Sequence, residues 1–108
     1  SLGEGFGLAT IEAQACGTKV IASNFAASAE LVSEDGWLVN GQPLWDAPQK
    51  AWFNTPFVIE IVNALEEAYQ QGKGRSQKAI AKAAEYDSAK VFKESWQPVL
   101  GRLLGEVK

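Results

Sequence analysis

The sequence predicts an α/β fold, a partial Rossmann-like domain in which a short parallel sheet carries flanking helices and a helical C-terminal part follows. Three observations predict it. Helical and strand-like segments alternate over the first 39 residues, an order that joins parallel strands through a right-handed crossover. The strand candidates are short apolar runs bounded by Gly, Asn and Asp, as buried strands are. Beyond residue 55 the apolar residues recur at helical spacing to the end of the chain.

The elements follow in order. Ser1 to Gly7 is a glycine-rich loop, and Leu8, Ile11 and Ala15 then recur at i, i+3 and i+7 as one helical face, which Cys16 and Gly17 terminate. Lys19 to Ser23 is compact and β-branched enough for a buried strand, and a Ser23-Asn24 turn leads to a short helix over residues 26–32. Glu34-Asp35-Gly36 turns the chain into a second strand at Trp37-Leu38-Val39. Residues 40–56 hold Pro43, Pro48 and Pro56 with Trp45, Trp52 and Phe53 and show no period. This stretch is expected to be an aromatic loop insertion that collapses onto the domain's own surface in preference to stacking on a sugar or a partner.

Thr55 fits an N-cap with Pro56 at the first helical position, ahead of a broad stripe formed by Phe57, Val58, Ile61, Val62, Leu65, Ala68 and Tyr69. Gly72-Lys73-Gly74 stops that helix. Ser76 to Glu85 forms an Ala-rich helix with Ile80 and Ala84 inward, and Asp87 or Ser88 caps the last one. Along it Phe92, Trp96, Val99, Leu100 and Leu103 keep helical spacing, with Trp96 expected in the core or at an interdomain contact. Pro98 lacks the N–H its helix needs, which predicts a kink near Glu94.

Composition bounds the function. The chain has 108 residues, enough for one small domain or part of a larger one. Ten Lys and Arg against thirteen Asp and Glu give a net charge of -3, without the basic patch that phosphate neutralisation requires, so no nucleic-acid partner is expected. One Cys excludes an internal disulfide framework, and Cys16, beside apolar residues, is expected to be a buried, inert thiol. The absence of His removes the usual neutral-pH base, excluding zinc chemistry and Ser-His-Asp hydrolysis. No apolar run reaches the roughly 18 residues of a membrane span, which makes a cytoplasmic protein the expectation. The opening Ser1-Leu2-Gly3-Glu4 enters a glycine-rich stretch with no leading strand, so residues 1–108 are read as one truncated domain of a longer chain.

The densest signal is Gly3-Glu4-Gly5-Phe6-Gly7-Leu8 running into a helix that carries Glu12. Alternate glycines admit a ligand close to the backbone, and the first N–H groups of the helix point outward with the positive end of the dipole, a place that favours phosphate. Glu12, one turn inside, has the acceptor pair that vicinal ribose hydroxyls need, and Glu4 offers a second carboxylate to a sugar beyond the diphosphate. Together they describe a sugar nucleotide. The plain alternative is structural: such loops are common, and Glu near a helix start is favoured with no ligand at all. The glycines fall at 3, 5 and 7, so the G-x-G-x-x-G dinucleotide fingerprint does not fit, and a kinase loop lacks its partner motifs.

Glu4-Gly5-Phe6-Gly7-Leu8 with Glu12-Ala13-Gln14-Ala15-Cys16-Gly17, then Val20-Ile21-Ala22-Ser23, Glu30-Leu31-Val32 and the Asp35 to Val39 turn and strand, resembles the C-terminal domain of group 1 (family 4) retaining glycosyltransferases. The resemblance covers roughly the first 40 residues and includes the E-x7-E pair. It implies a B-type fold of two Rossmann-like domains and the retaining transfer of a hexosyl-type sugar from a nucleotide donor to an acceptor hydroxyl, with no cofactor or metal. It implies that Glu4 acts at the reacting sugar, that Glu4, Gly5, Phe6 and Gly7 hold that sugar, that Leu8 and Ala9 offer N–H groups to the diphosphate, and that Glu12 takes the ribose. The partners so implied are a nucleotide sugar and, through an N-terminal domain not in this chain, a carbohydrate or lipid-linked acceptor. The full-length protein would be free in the cytoplasm or peripheral to the cytoplasmic membrane face.

Departures are specific. The family's diphosphate-neutralising basic residues lie upstream of this motif, so the chain by itself is expected to be inactive. Lys19 replaces a Pro common in the family, and Ala26-Ala27 stands where a Gly pair is frequent. The rival expectation is a non-catalytic α/β binding or dimerisation module, and the exposed strand edges predict self-association of the isolated chain.

Overall fold

The computed structural model describes residues 1–106. The elements are α1 (Leu8–Ala15), β1 (Ile21–Ser23), α2 (Ala26–Leu31), β2 (Trp37–Val39), β3 (Gly41–Asp46), β4 (Ala51–Pro56), α3 (Val58–Gln71), α4 (Gln77–Ala84), α5 (Ser88–Val91), a π-helical turn (Phe92–Trp96) and α6 (Gln97–Glu106). The fold class is α/β, as the alternation predicts. β1 and β2 pair in parallel, with Ile21 opposite Trp37, Ala22 opposite Leu38 and Ser23 opposite Val39.

The inward face of α1 differs from the expected one. Leu8 is 66% exposed and Ala15 is exposed, whereas Gln14 is fully buried. Burial of a carboxamide is tolerated only with its hydrogen bonds made. Gln14 Nε2 donates to the Leu31 carbonyl at 2.8 Å, and the Ser33 N–H donates to Gln14 Oε1 at 2.7 Å. One side chain thereby joins α1 to the end of α2 and to the turn before β2. On the other side α1 rests on α4, where Ala79 and Ala83 are buried. The expected inward pair was Ile80 and Ala84, but Ile80 is half-buried and Ala84 is exposed, because the small Ala79 and Ala83 meet the adjoining helix. Ser76 caps α4 by accepting the Ala79 N–H at 3.0 Å.

Residues 40–56 are not an irregular loop. They form an antiparallel hairpin, β3 with β4, pairing Gly41 with Pro56, Pro43 with Asn54 and Trp45 with Trp52. The alternation that marks a strand in sequence is missing because Gln42, Pro43, Leu44 and Trp45 are all exposed. Pro43 is compatible with a two-stranded ribbon, where one edge needs no donor. The turn is set by Asp46, whose Oδ2 accepts the Gln49 N–H at 3.1 Å, and the Trp45 and Trp52 rings meet edge to face at 5.3 Å. Gly41 is forced by contact, since a Cβ there would lie 2.3 Å from the Thr55 carbonyl oxygen.

The hairpin also moves the start of the following helix. Thr55 and Pro56 finish β4, the Phe57 N–H donates to the Asn40 carbonyl at 2.9 Å, and α3 begins at Val58. Pro98 acts as expected in removing a backbone bond, but the accommodation is a π-helical turn. The Gln97 N–H reaches back to the Phe92 carbonyl, five residues away, over the segment that contains Glu94.

Two apolar faces stay open. Phe92, Trp96, Leu103 and Leu104 are 54 to 71% exposed, and on α3 Val58, Ile59, Val62, Leu65 and Tyr69 are 52 to 80% exposed. Trp96 therefore lies outside this chain's core. Cys16 is likewise exposed, not buried, because α1 ends there and turns its last residues to solvent. The molecule measures 58 × 42 × 16 Å with a radius of gyration of 17.5 Å, where a compact chain of this length has about 13 Å.

Gln14→Leu removes both amide bonds while keeping the volume, leaving the Leu31 carbonyl and the Ser33 N–H without partners. At roughly 1 to 3 kcal/mol for each of the two unsatisfied groups, urea unfolding should show a loss of about 2 to 6 kcal/mol; a change near zero would remove Gln14 from its structural role. Asp35 accepts hydrogen bonds from Ser76 Oγ and Ser33 Oγ, which with the charge of Lys19 hold its pKa below the ordinary carboxylate value against an opposing effect of burial. A depressed folded-state pKa contributes stability above the unfolded value that is lost as pH falls through the folded one. The stability gap between the parent and Asp35→Asn should therefore be present at neutral pH and narrow below about pH 4 in a pH series of unfolding midpoints.

Candidate functional site

The site predicted from sequence is a continuous stretch from Glu4 to Glu12, and tertiary structure sets its shape. Gly7 caps α1 in the left-handed region at φ 99°, ψ 61°, a conformation that favours glycine, and its carbonyl accepts the Thr10 N–H at 3.1 Å. The turn leaves Leu8 and Ala9 at the head of the helix, where neither N–H has an intrahelical acceptor. Leu8 and Glu12 are four apart and share one face of α1, and both are exposed. Glu4 and Gly5 are exposed in the loop ahead, and a Cβ at Gly5 would meet no atom within 4 Å. Among the described residues neither the Glu4 nor the Glu12 carboxylate accepts a hydrogen bond or pairs with a cation. Glu4, Glu12 and the helix N-terminus are thus each open to solvent.

What holds that surface in place was not legible in the sequence. The Leu2 carbonyl accepts the Asn54 N–H at 2.9 Å, and the side of the Gly3 α-carbon that carries no side chain packs against the Phe53 ring, which a Cβ there would approach to 3.3 Å. Asn54 is 4% exposed and its Nδ2 donates to Ser23 Oγ at 3.0 Å, at the end of β1. The hairpin is therefore a brace between the glycine-rich loop and the parallel strands. Phe6 is held from the other side by Tyr86, edge to face at 5.6 Å, and the two rings open a groove of about 590 Å3 with Val91, Phe92 and Trp96. The one local clue to Asn54 is its polarity between Phe53 and Thr55. Ala26, in the Ala26-Ala27 pair, adopts φ 51°, a left-handed value that a Gly would hold with less strain.

Among the described residues no three His, Cys, Asp or Glu side chains converge as a metal centre requires. Among the described residues no helix is long and apolar enough to cross a membrane.

Residues 1–50 match the family model described as Glycosyl transferases group 1. The matched span takes in the glycine-rich loop, α1, the parallel pair and β3, and stops before β4 and the later helices. No curated protein and no solved structure matches the chain.

Gly7→Ala tests the turn. A non-glycine residue at this φ costs about 1 to 3 kcal/mol, so thermal unfolding should shift downward and the amide resonances of residues 5–10 should move most. An unchanged midpoint and spectrum would mean that the left-handed cap is dispensable.

Proposed function

We propose that this chain is the donor-binding part of a group 1 glycosyltransferase and holds a nucleotide sugar along the surface from Glu4 to Glu12. One observation carries the proposal: the segment that matches the glycosyltransferase family model contains the left-handed Gly7 turn, with its free N–H groups at Leu8 and Ala9 and the exposed Glu12 one turn further on the same face. The diphosphate sits on the helix start, where N–H groups and the dipole favour negative charge. Glu12 accepts the two ribose hydroxyls. Glu4, with the backbone of Gly5, Phe6 and Gly7, accepts and orients the hydroxyls of the transferred sugar at the reacting carbon.

The proposed reaction of the whole protein is transfer of a hexosyl-type sugar to an acceptor hydroxyl with retention of configuration, without a metal or cofactor, in the cytoplasm. The open geometry supports a division of labour, since this surface offers donors for phosphate and acceptors for hydroxyls but no enclosing wall. A second domain of the B-type fold would close over the donor, bring the carbohydrate or lipid-linked acceptor, and supply the cations that stabilise the departing diphosphate. This chain by itself should bind weakly and turn nothing over.

Titration with UDP-glucose, GDP-mannose and ADP-glucose, followed by nuclear magnetic resonance, tests the assignment. At least one should move the amides of Leu8 and Ala9, and Glu12→Ala should weaken it about tenfold, or about 1.4 kcal/mol, with an unchanged circular dichroism spectrum. Undiminished binding by Glu12→Ala would remove the ribose role, and no binding by any of the three would favour a non-catalytic module.

A further inference from the structure

We infer that the pocket at the opposite end of α1 is a second, separate anion site that takes the phosphate monoester of a small soluble ring compound. It lies where α1 has ended and β1 begins, against the end of α3, and is lined by Thr18, Lys19, Trp37, Gln71, Lys73 and Arg75 with the backbone of Gly72 and Gly74. Its volume of about 410 Å3 falls in the range of small-molecule sites, roughly 300 to 1,000 Å3. α1 spans eight residues, about 12 Å at 1.5 Å per residue, so this pocket and the Gly7 turn are held apart by the length of a helix.

The charge is concentrated against the chain's average. Three of ten cationic side chains line this one pocket in a chain of net charge -3, and no carboxylate lines it. Lys78 and Lys82 elsewhere are paired with Glu34 and Glu85, whereas Lys19, Lys73 and Arg75 form no ion pair among the described residues. Glu67 accepts the Trp37 indole N–H at 2.9 Å, and Asp35, which feels the charge of Lys19, is hydrogen-bonded by Ser33 and Ser76. Lys19 Nζ donates to Gln71 Oε1 at 2.6 Å and stands 5.8 Å from the centre of the Trp37 ring, using one of its three donors.

The pocket is also built. Arg75 is set by its neighbours, since the Ser76 N–H donates to the Gly17 carbonyl at 2.8 Å and the Arg75 side chain packs over Gly17, which holds φ 82°. The chain turns at Gly72 with φ 73°, and a Cβ at Gly72 or Gly74 would meet no atom within 4 Å, so the bare backbone of 72–74 is open to a ligand. The Gly72 N–H is donated to the Tyr69 carbonyl at 3.1 Å, but two flexible ammonium groups, a planar guanidinium fork and the N–H groups of Lys73 and Gly74 match a doubly charged, three-oxygen phosphate better than a single carboxylate. The half-buried Trp37 ring and Ala68 supply an apolar wall for a compact ring. The small volume and the absence of a wider basic stripe favour a soluble ester over a polyanion or a membrane.

The test uses the 15N-labelled chain titrated at constant ionic strength with ribose 5-phosphate, with inorganic phosphate and with ribose. Ribose 5-phosphate and phosphate should shift the Trp37 indole N–H and the amides of Thr18 and 72–75, and ribose should not. Lys73→Gln with Arg75→Gln should weaken ribose 5-phosphate at least tenfold, and Lys73→Glu should do the same by a change confined to an exposed side chain. Glu12→Ala should leave this affinity unchanged, which separates the pocket from the proposed donor surface. Equal affinity in the Lys73 and Arg75 variants, shifts spread over Lys78, Lys82, Lys90 and Lys93, or binding only to vesicles containing phosphatidylinositol phosphate would each overturn the proposal.

Discussion

The arrangement depends on one buried amide. Gln14 is enclosed completely, and its two hydrogen bonds satisfy a carbonyl at the end of α2 and an N–H in the turn before β2. An apolar side chain there would fill the space and leave two backbone groups unpaired in a low-dielectric interior, where such groups are costly. The same two bonds fix the rotation of α1 about its axis. With Gln14 inward, Leu8 and Glu12 must face out, and the helix start lies open beside them.

A short helix oriented in this way presents different chemistry at its two ends. The beginning combines unpaired N–H groups with the carboxylates of Glu4 and Glu12, a pairing suited to a ligand that carries both phosphate and hydroxyl groups. Past its end, Lys19, Lys73 and Arg75 gather around Trp37 with no carboxylate among them. Each end is braced by segments distant in sequence. The β3–β4 hairpin supports the first through Asn54, and the Gly17 to Ser76 hydrogen bond supports the second.

The thin shape is a physical consequence of where the apolar residues lie. A chain about 16 Å deep in its shortest dimension cannot cover the faces of both α3 and α6, and Val62, Leu65, Phe92 and Trp96 remain open to water. The groove between Phe6 and Trp96 brings Phe92 and Trp96 to the edge of the glycine-rich loop.

The sequence by itself determined the alternation of α1, β1, α2 and β2, the parallel pairing, a cap at Asp87 or Ser88, of which the structure uses Asp87, and the disturbance before Pro98, because each is governed by local periodicity, capping or backbone chemistry. It also singled out Glu4 to Glu12 as a unit, since glycine spacing and a helix start are local features. Tertiary structure alone decided the rest. The hairpin escaped recognition because Gln42 to Trp45 of β3 are all exposed and the buried residue of β4 is the polar Asn54, so neither strand shows an apolar alternation, and its pairing is what converts Thr55 and Pro56 from a helix start into a strand end. The inward face of α1 was hidden because a buried glutamine is stable only when distant backbone groups meet it. Asn54, Lys73 and Arg75 look like ordinary polar residues in sequence; their roles arise from partners 31 to 58 positions away, from Asn54 with Ser23 to Arg75 with Gly17, and no local pattern encodes such pairings.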